Sequence, residues 1–300
     1  MGTPAIAAVC LRALVEAGHE IAGVFTKPDT PKNRGMKLMA SEVKQYALQA
    51  GLHVYQPATF RDGAAAEILR QLRPDLIAVV AYGKILPQQV LDIPPQGCVN
   101  IHASILPALR GAAPIQRAIL NGLDETGVTA MYMAAEMDAG DIIAVSRTPI
   151  APLETAGELT DRLADLGAAL LCRTVAEIAA GRASRTPQDP AGVSFAPMLS
   201  RADSPIDWTH SRRQIVDQVR GLNPWPVASA ELGGTSFKIY AAEPLDGPSD
   251  YAPGTLLALG KQGLDVACGD GAVRITRLQA PGGKQMAAAD YFRGHPVELG

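Results

Sequence analysis

The decisive stretch of this chain is Cys98-Val99-Asn100-Ile101-His102-Ala103-Ser104-Ile105-Leu106-Pro107. Its first half is mostly apolar, as expected of a buried strand, and it carries Asn100 and His102 two positions apart. Side chains two apart on a strand point to the same face of the sheet. The spacing therefore predicts that an amide and an imidazole converge at the end of one strand.

A carboxylate follows a second apolar stretch further along the chain. Asp138 stands in Met137-Asp138-Ala139-Gly140-Asp141, after residues 126–133, which are predicted to form a strand. If the two strands are neighbours, Asn100, His102 and Asp138 meet at one edge of the sheet. An amide, an imidazole and a carboxylate around one carbonyl oxygen can stabilise the tetrahedral intermediate of an acyl transfer. We therefore predict a catalytic site at these three residues.

The surrounding segments alternate between helix and strand patterns. Helices are predicted over residues 4–17, 41–51, 63–72 and 155–181. Residues 76–82 are uniformly apolar, as in a strand that is buried on both faces. This alternation predicts an α/β fold with a Rossmann-like, doubly wound parallel sheet. Ligands of such sheets gather at the carboxyl ends of the strands, where Asn100 and His102 are placed.

The composition changes after Gly181. Residues 182–205 contain four prolines and no clear periodicity, so we predict a linker there. Short β-type runs separated by glycine-rich turns then fill residues 206–300 and predict a small β-barrel of the OB type. The predicted organisation is a catalytic domain over 1–181, a linker over 182–205 and a β-barrel domain over 206–300.

The beginning of the sequence is unusual for a doubly wound sheet. Such a domain opens with a strand that leads into its first helix, whereas this sequence begins with Met1-Gly2-Thr3-Pro4, at the turn after that strand. We therefore expect a central position of the sheet to be empty unless residues precede Met1, and we expect an empty position to lower stability.

Composition and charge exclude several classes of protein. The net charge of the 300 residues is −3, which indicates neither a nucleic-acid coat nor a membrane-binding patch. No apolar run reaches about 18 residues, and no secretory signal is evident, so we expect a cytoplasmic protein without membrane contact. The four cysteines have long, irregular spacings without a Cys-x-x-Cys motif, and we therefore expect no metal site.

Several motifs together resemble the methionyl-tRNA formyltransferase family. The resemblance runs over nearly the whole chain. It is carried by Val80-Ala81-Tyr82-Gly83 with Ile85-Leu86-Pro87, by the stretch from Asn100 to Pro107, by Arg110-Gly111-Ala112-Ala113-Pro114-Ile115-Gln116-Arg117, by Asp138-Ala139-Gly140-Asp141 and by Asn223-Pro224-Trp225-Pro226. The Asn-x-His and Asp-x-Gly elements are shared by folate-dependent formyltransferases in general, whereas the Arg-Gly-Ala-Ala-Pro run, Asn-Pro-Trp-Pro and the C-terminal domain are typical of the tRNA enzymes.

The resemblance implies a fold, a reaction and a set of residues. The fold is a formyltransferase-type sheet domain followed by a barrel, and the reaction transfers the formyl group of 10-formyltetrahydrofolate, with Asn100, His102 and Asp138 as the catalytic residues. The residues implied to contact the folate are Ser104, Ile105, Leu106, Pro107, Tyr82, Gly83, Ile85 and Leu86.

The implied acceptor is initiator methionyl-tRNA, and the enzyme is expected to be a monomer. A basic loop over residues 27–39 is implied to approach the tRNA acceptor stem through Lys27, Lys32, Arg34 and Lys37. Two departures from the family pattern are Ala108-Leu109, where a basic-aromatic pair is expected, and Met137-Asp138-Ala139 in place of Leu-Asp-Thr. The first of these predicts a weaker contact in its loop.

Two other functions remain open at this point. One is a different folate-dependent N-formyltransferase that acts on a sugar-nucleotide amine or on glycinamide ribonucleotide. The C-terminal domain counts against the glycinamide enzyme, which resembles only the first two-thirds of the chain. The other is a non-catalytic protein that binds tRNA or folate, which the intact Asn100, His102 and Asp138 disfavour.

Overall fold

The computed structural model describes residues 1–32 and 37–300, apart from the side chains at 32 and 37. The helices are α1 (Ala5–Glu16), α2 (Glu42–Gln49), α3 (Ala64–Leu72), α4 (Gln88–Leu91), α5 (Pro114–Leu120), α6 (Ala156–Ala179), α7 (Arg212–Gly221) and α8 (Ala288–Gly294). The strands up to residue 150 are β1 (Val24–Phe25), β2 (Thr30–Lys32), β3 (Lys37–Met39), β4 (Val54–Tyr55), β5 (Ile77–Val79), β6 (Cys98–His102), β7 (Arg110–Gly111), β8 (Glu125–Tyr132) and β9 (Ile142–Pro149). The later strands are β10 (Phe195–Ala196), β11 (Ala228–Leu232), β12 (Thr235–Leu245), β13 (Leu256–Gly260), β14 (Gly263–Cys268), β15 (Gly271–Gln279) and β16 (Met286–Ala287).

The chain divides into two compact units built from interleaved segments. Unit 1 contains Met1–Gly111, Thr126–Thr148 and Thr160–Ala196. Unit 2 contains Ala112–Glu125, Pro149–Leu159 and Pro197–Gly300. Most of the segment predicted as a linker therefore belongs to unit 1, where it forms β10 and a short 3-10 turn. The domain boundaries at 181 and 206 stay a prediction.

The main sheet of unit 1 has the strand order β5-β6-β8-β9. Strand β6 runs parallel to β5, with Val79 opposite Asn100, and antiparallel to β8, with His102 opposite Thr129. The predicted α/β class is confirmed, but the sheet is mixed and not parallel throughout. The reason is that β8 returns beside β6 in the opposite direction, which a local sequence pattern does not reveal.

The first two residues lie between β1 and β5. The Gly2 N–H donates to the Phe25 carbonyl at 3.0 Å, the Met1 amino group donates to the Ala78 carbonyl at 2.6 Å, and Gly2 is bridged to Val80. A Cβ at Gly2 would lie 2.8 Å from the Val80 carbonyl oxygen, so only glycine fits there. Within the described residues β1 pairs with β4 and not with β5. A cavity of about 420 Å³, lined mainly by apolar residues of unit 1, lies beside these edges.

Local signals account well for the helices of unit 1. The Ser41 hydroxyl accepts the Lys44 N–H at 3.1 Å and caps α2, as predicted from its position before that helix. Helix α1 buries Ile6, Cys10 and Leu14, which are spaced for one helical face. The basic segment predicted as a loop contains a two-stranded antiparallel ribbon, β2 with β3, so that prediction was incomplete.

Unit 2 is built on an antiparallel sheet with the order β11-β12-β15-β14-β13, and β16 adds to β15. Helix α7 packs against β12 and α5. The core contains Phe237, Ile239, Val266 and Ile275, all with at most 2% of their surface exposed. The prediction of a second, β-rich domain is therefore confirmed. In the described part of the chain, no helix is both long enough and apolar enough to cross a membrane.

Candidate active site

The imidazole of His102 lies buried at the end of β6. Its Nε2 is 2.9 Å from the Leu109 carbonyl oxygen, and its Nδ1 is 3.7 Å from Oδ2 of Asp138. A carbonyl oxygen only accepts hydrogen bonds, so Nε2 carries a proton and donates it. Nδ1, the other ring nitrogen, faces the carboxylate of Asp138. The structure brings together the predicted imidazole and the predicted carboxylate.

The carboxylate of Asp138 is held from the backbone. Its Oδ2 accepts the Gly111 N–H at 2.9 Å, and the residue itself has a φ of 53°, in the left-handed region. Two residues later, a Cβ at Gly140 would lie 2.8 Å from the carbonyl carbon of Tyr132, so the chain can pass there only with glycine. The Asp-x-Gly motif is thus explained by a tight loop that turns the carboxylate toward β7.

Asn100 lies on the same face of β6 as His102, because the two are separated by one residue. It is half-buried, and its amide makes no hydrogen bond with any residue that the structure describes. An amide next to an imidazole and without a protein partner is available to a ligand. The position of Asn100 therefore fits a hydrogen-bond donor to substrate.

The segment from Ser104 to Pro107 is fixed by a threonine on β8. The Thr129 hydroxyl donates to the Ser104 carbonyl at 2.7 Å and accepts the Leu106 N–H at 3.1 Å. The Ser104 hydroxyl is used inside the loop, where it donates to the Ala108 carbonyl at 2.6 Å. The side chains of Ser104 and Leu106 are buried, whereas Ile105 and Pro107 are half-buried. In the described arrangement, this loop offers a ligand chiefly backbone and the surfaces of Ile105 and Pro107.

The second predicted folate segment places most of its side chains inside the protein. Tyr82 is 2% exposed and packs edge-on against Phe60, and burial raises the pKa of its hydroxyl to about 12. Leu86 is also in the core, whereas Ile85 is 90% exposed. Gly83 has a φ of 69°. Ile85 is therefore the side chain of this segment that a bound ring can reach without rearrangement.

The residues predicted to contact tRNA are only partly described. The side chain of Lys27 lies against Gly83, so the basic segment and the predicted folate segment are adjacent. Burial, together with the Lys27 ammonium, lowers the pKa of Lys84. Arg34 and the side chains of Lys32 and Lys37 lie outside the described residues.

Several residues around this site were not predicted from the sequence. The Ser194 hydroxyl accepts the Leu109 N–H at 2.9 Å, and the Ser194 carbonyl accepts the Arg110 N–H at 2.9 Å. Strand β10 then pairs in parallel with β7. These contacts hold in place the residue whose carbonyl, that of Leu109, accepts the hydrogen bond from His102. Nothing in the local pattern of residues 182–205 indicates them, because both partners are distant in sequence.

Within the described residues, no group of three His, Cys, Asp or Glu side chains is arranged to hold a metal ion. The polar groups that converge here are an amide, an imidazole and a carboxylate. This set suits the stabilisation of charge and the movement of a proton during acyl transfer.

Comparison with known families defines the class of protein. The family described as formyl transferase matches residues 1–175, and the family described as formyl transferase, C-terminal domain, matches residues 198–296. Fold, site and family thus agree on a formyl transferase. A Moorella thermoacetica protein named methionyl-tRNA formyltransferase is 49% identical over 100% of this chain and 96% of its own length. A Trichlorobacter lovleyi protein with the same name is 45% identical over 100% of this chain and 94% of its own length. The chain belongs to the methionyl-tRNA formyltransferase family.

Solved structures share the fold at lower sequence identity. An N-formyltransferase from Helicobacter canadensis, in complex with folinic acid and dTDP-3-aminofucose, has a TM-score of 0.68 at 18% identity and covers 91% of this chain and 96% of its own. HypX from Aquifex aeolicus, in complex with tetrahydrofolic acid, has a TM-score of 0.60 at 21% identity. The match covers 84% of this chain and 45% of HypX. At these identities the likeness shows the fold alone.

Proposed function

We propose that this chain transfers a formyl group from 10-formyltetrahydrofolate to the amino group of initiator methionyl-tRNA, using Asn100, His102 and Asp138. The observation that carries the proposal is the 3.7 Å approach of His102 Nδ1 to Asp138 Oδ2 in a member of this family. The Asn100 amide, which has no partner among the residues described, lies on the same face of β6. Ile105, Pro107 and exposed Ile85 are the side chains best placed to contact the folate.

The chemistry follows from the charges that develop during transfer. The neutral amine attacks the formyl carbon, a new C–N bond forms, and negative charge grows on the formyl oxygen. The Asn100 amide donates a hydrogen bond to that oxygen, and His102, when protonated, places a positive charge beside it. The Asp138 carboxylate takes a proton from the attacking amine, directly or through water. The bond from the formyl carbon to folate nitrogen then breaks, and the proton is delivered to that nitrogen.

The test of the catalytic assignment is the rate of formylation of methionyl-tRNA. His102→Ala is expected to lower turnover on the order of 10²–10³-fold, because removing one group that stabilises a developing oxyanion costs about that much. The exposed His53 supplies the control, since His53→Ala removes an imidazole far along the chain from β6. Circular dichroism and melting temperature verify that both variants fold. An unchanged rate in folded His102→Ala removes His102 from the mechanism.

The acceptor is tested by competition between amines. We expect methionyl-tRNA to be formylated far more efficiently than an amino-sugar nucleotide or glycinamide ribonucleotide. The sugar N-formyltransferases resemble this chain at about the 18% identity that shows only a shared fold. A preference for a sugar nucleotide would show that the acceptor is a sugar amine and not methionyl-tRNA. Folate binding without turnover of any amine would show that the protein binds folate but is not an enzyme.

The remaining parts of the proposal concern partners and location. We propose that Lys27, Lys32, Arg34 and Lys37 contact the tRNA, because four cations within a short segment supply a phosphate-binding surface on a chain of net charge −3. A monomer that acts in the cytoplasm is the simplest form consistent with this substrate.

A further inference from the structure

We propose that Gln188 is a positioning residue, which holds the Asp138 loop against Arg110 and so keeps the carboxylate beside His102. The inference rests on the proposed function of Asp138. It concerns a residue in the segment that the sequence pattern predicted to be a linker. Gln188 is half-buried and does not itself reach the His102–Asp138 contact, so its effect is transmitted through the loop.

Both ends of the Gln188 amide are fully used. Its Nε2 donates to the Asp138 carbonyl at 2.8 Å and to the Gly140 carbonyl at 2.9 Å. Its Oε1 accepts from Arg110 Nη2 at 2.8 Å and from Arg110 Nε at 3.1 Å. A primary amide has two N–H groups and two lone pairs, and all four are paired here. The opposite orientation would face oxygen to two carbonyls and NH₂ to a guanidinium, so the orientation is determined by its partners.

These contacts close a ring of hydrogen bonds around the catalytic loop. Arg110 is followed in the chain by Gly111, whose N–H binds Asp138 Oδ2 at 2.9 Å. The Asp138 carbonyl is thus linked through the Gln188 amide to Arg110 of β7. The Asp138 carboxylate binds Gly111, the next residue of β7. A non-glycine residue with positive φ is strained, and it persists only where its surroundings hold it in place. Gln188 supplies that support at the backbone carbonyls of Asp138 and Gly140, whereas Gly111 binds the Asp138 side chain.

Arg110 depends on the same amide. It is 7% exposed, and its Nη1 also lies 3.4 Å from Glu136, whose side chain is largely exposed. A buried guanidinium needs most of its N–H groups satisfied, and Gln188 takes two of them. Gln188→Glu would strengthen the pairing with Arg110 but place carboxylate oxygens against the carbonyls of Asp138 and Gly140. This variant therefore separates the role in the loop from the role in satisfying Arg110.

The test compares Gln188→Glu and Gln188→Ala with Gln285→Glu, a control at an exposed glutamine of unit 2. Misplacement of a reacting group by about 1 Å costs on the order of 10²-fold, so we expect kcat to fall by 10- to 100-fold in both Gln188 variants. We expect KM for the folate to change by less than roughly threefold and Gln188→Glu to keep the melting temperature. Lower stability with unchanged kcat per folded enzyme would show a structural role only and would overturn the inference.

A double-mutant cycle with Asp138→Asn tests the route of the effect. If Gln188 acts through Asp138, Gln188→Ala costs little once Asp138 has been changed, and the losses are not additive. Additive losses overturn the inference. A large effect of Asp138→Asn with none of Gln188→Glu also overturns it and leaves the proposed function standing. An effect of Gln188→Glu with none of Asp138→Asn shows that the assignment of Asp138 itself has failed.

Hydrogen exchange gives a readout that does not depend on activity. Loss of Gln188 is expected to speed amide exchange in residues 136–141 and at Gly111, while Gln285→Glu leaves these amides as in the original protein. Unchanged exchange at those amides in Gln188→Ala would contradict a positioning role even if the rate falls.

Discussion

Two buried hydroxyls, those of Tyr82 and Thr174, have no hydrogen-bond partner among the described residues. An unpaired buried hydroxyl costs stability, because it loses water without gaining a partner. The effect of such a hydroxyl on the free energy of unfolding can be measured by removing it alone. Tyr82 is the more informative of the two, since the family resemblance assigned it to folate binding and the structure buries its ring.

Tyr82→Phe is expected to leave the free energy of unfolding unchanged or to raise it by up to about 1 kcal/mol near pH 8, because only the unpaired hydroxyl is lost. The pH dependence differs at alkaline pH. The pKa of Tyr82 is about 12 in the folded protein and about 10 when unfolded, so the unfolded state releases its proton first and stability falls as pH rises from 10 toward 12.

The measurement is urea denaturation of both proteins at pH 9 and pH 11. Between pH 9 and pH 11, the free energy of unfolding of the original protein is expected to fall by about 1 kcal/mol more than that of Tyr82→Phe. Cysteines that titrate in the same range contribute equally to both proteins. The KM for the folate serves as a second readout and is expected to stay constant. Identical pH dependence in the two proteins would contradict the burial of this hydroxyl.

At the scale of elements, β8 supports the loop that follows β6. Thr129 on β8 is fully buried and bonds to two backbone groups of the Ser104–Leu106 turn. The pairing of His102 with Thr129 across the two antiparallel strands brings the threonine to this turn. The predicted folate segment is therefore shaped by a neighbouring strand as well as by its own residues.

Thr129→Val is expected to lower the free energy of unfolding by roughly 2–4 kcal/mol, because it leaves a buried N–H and a buried carbonyl unpaired. The KM for the folate is expected to rise as the turn loosens. The matched control is Thr174→Val on α6. Thr174 is equally buried, and its hydroxyl has no partner in the part of the chain that the structure describes, so this variant is expected to be neutral or slightly stabilising. Chemical denaturation of both variants checks this pair, and equal losses would show that the Thr129 bonds contribute nothing.

At the scale of the whole molecule, net charge does not favour RNA binding. The chain has 27 basic and 30 acidic residues, so attraction to tRNA must come from a local group of cations. The segment with Lys27, Lys32, Arg34 and Lys37 is the proposed group. Its neighbour in the fold is the predicted folate segment, since Lys27 contacts Gly83.

Arg34→Ala is expected to raise the KM for methionyl-tRNA several-fold at low salt, because one phosphate contact is lost. For the same reason, the slope of log affinity for the tRNA against log salt concentration is expected to become smaller in magnitude by about 1. The KM for the folate is expected to stay constant. Arg61→Ala, at another exposed arginine of unit 1, is the control. Initial rates at about 50 and 200 mM salt supply the data. Equal changes for both substrates would argue that Arg34 affects the site as a whole and does not contact tRNA.

Much of the site followed from local pattern. Alternation along β6 placed Asn100 and His102 on one face, and Ser41 marked the start of α2, because strand periodicity and helix capping involve only neighbouring residues. The family resemblance added the functional assignments. It did not indicate that Tyr82 and Leu86 point into the core, because burial depends on what the rest of the chain packs against them.

The sequence by itself determined the α/β class and the second β-rich domain, and it indicated Asn100, His102 and Asp138 as candidate catalytic residues. These inferences follow from periodicity, turns and motifs within short windows. Only the tertiary structure decided that β8 runs antiparallel to β6 and that Asp138 rests on Gly111. It also decided that Gln188 ties the Asp138 loop to Arg110. These contacts join residues 27 to 78 positions apart, and no local energy term specifies them. They form because most polar groups that folding removes from water must find a partner inside the protein.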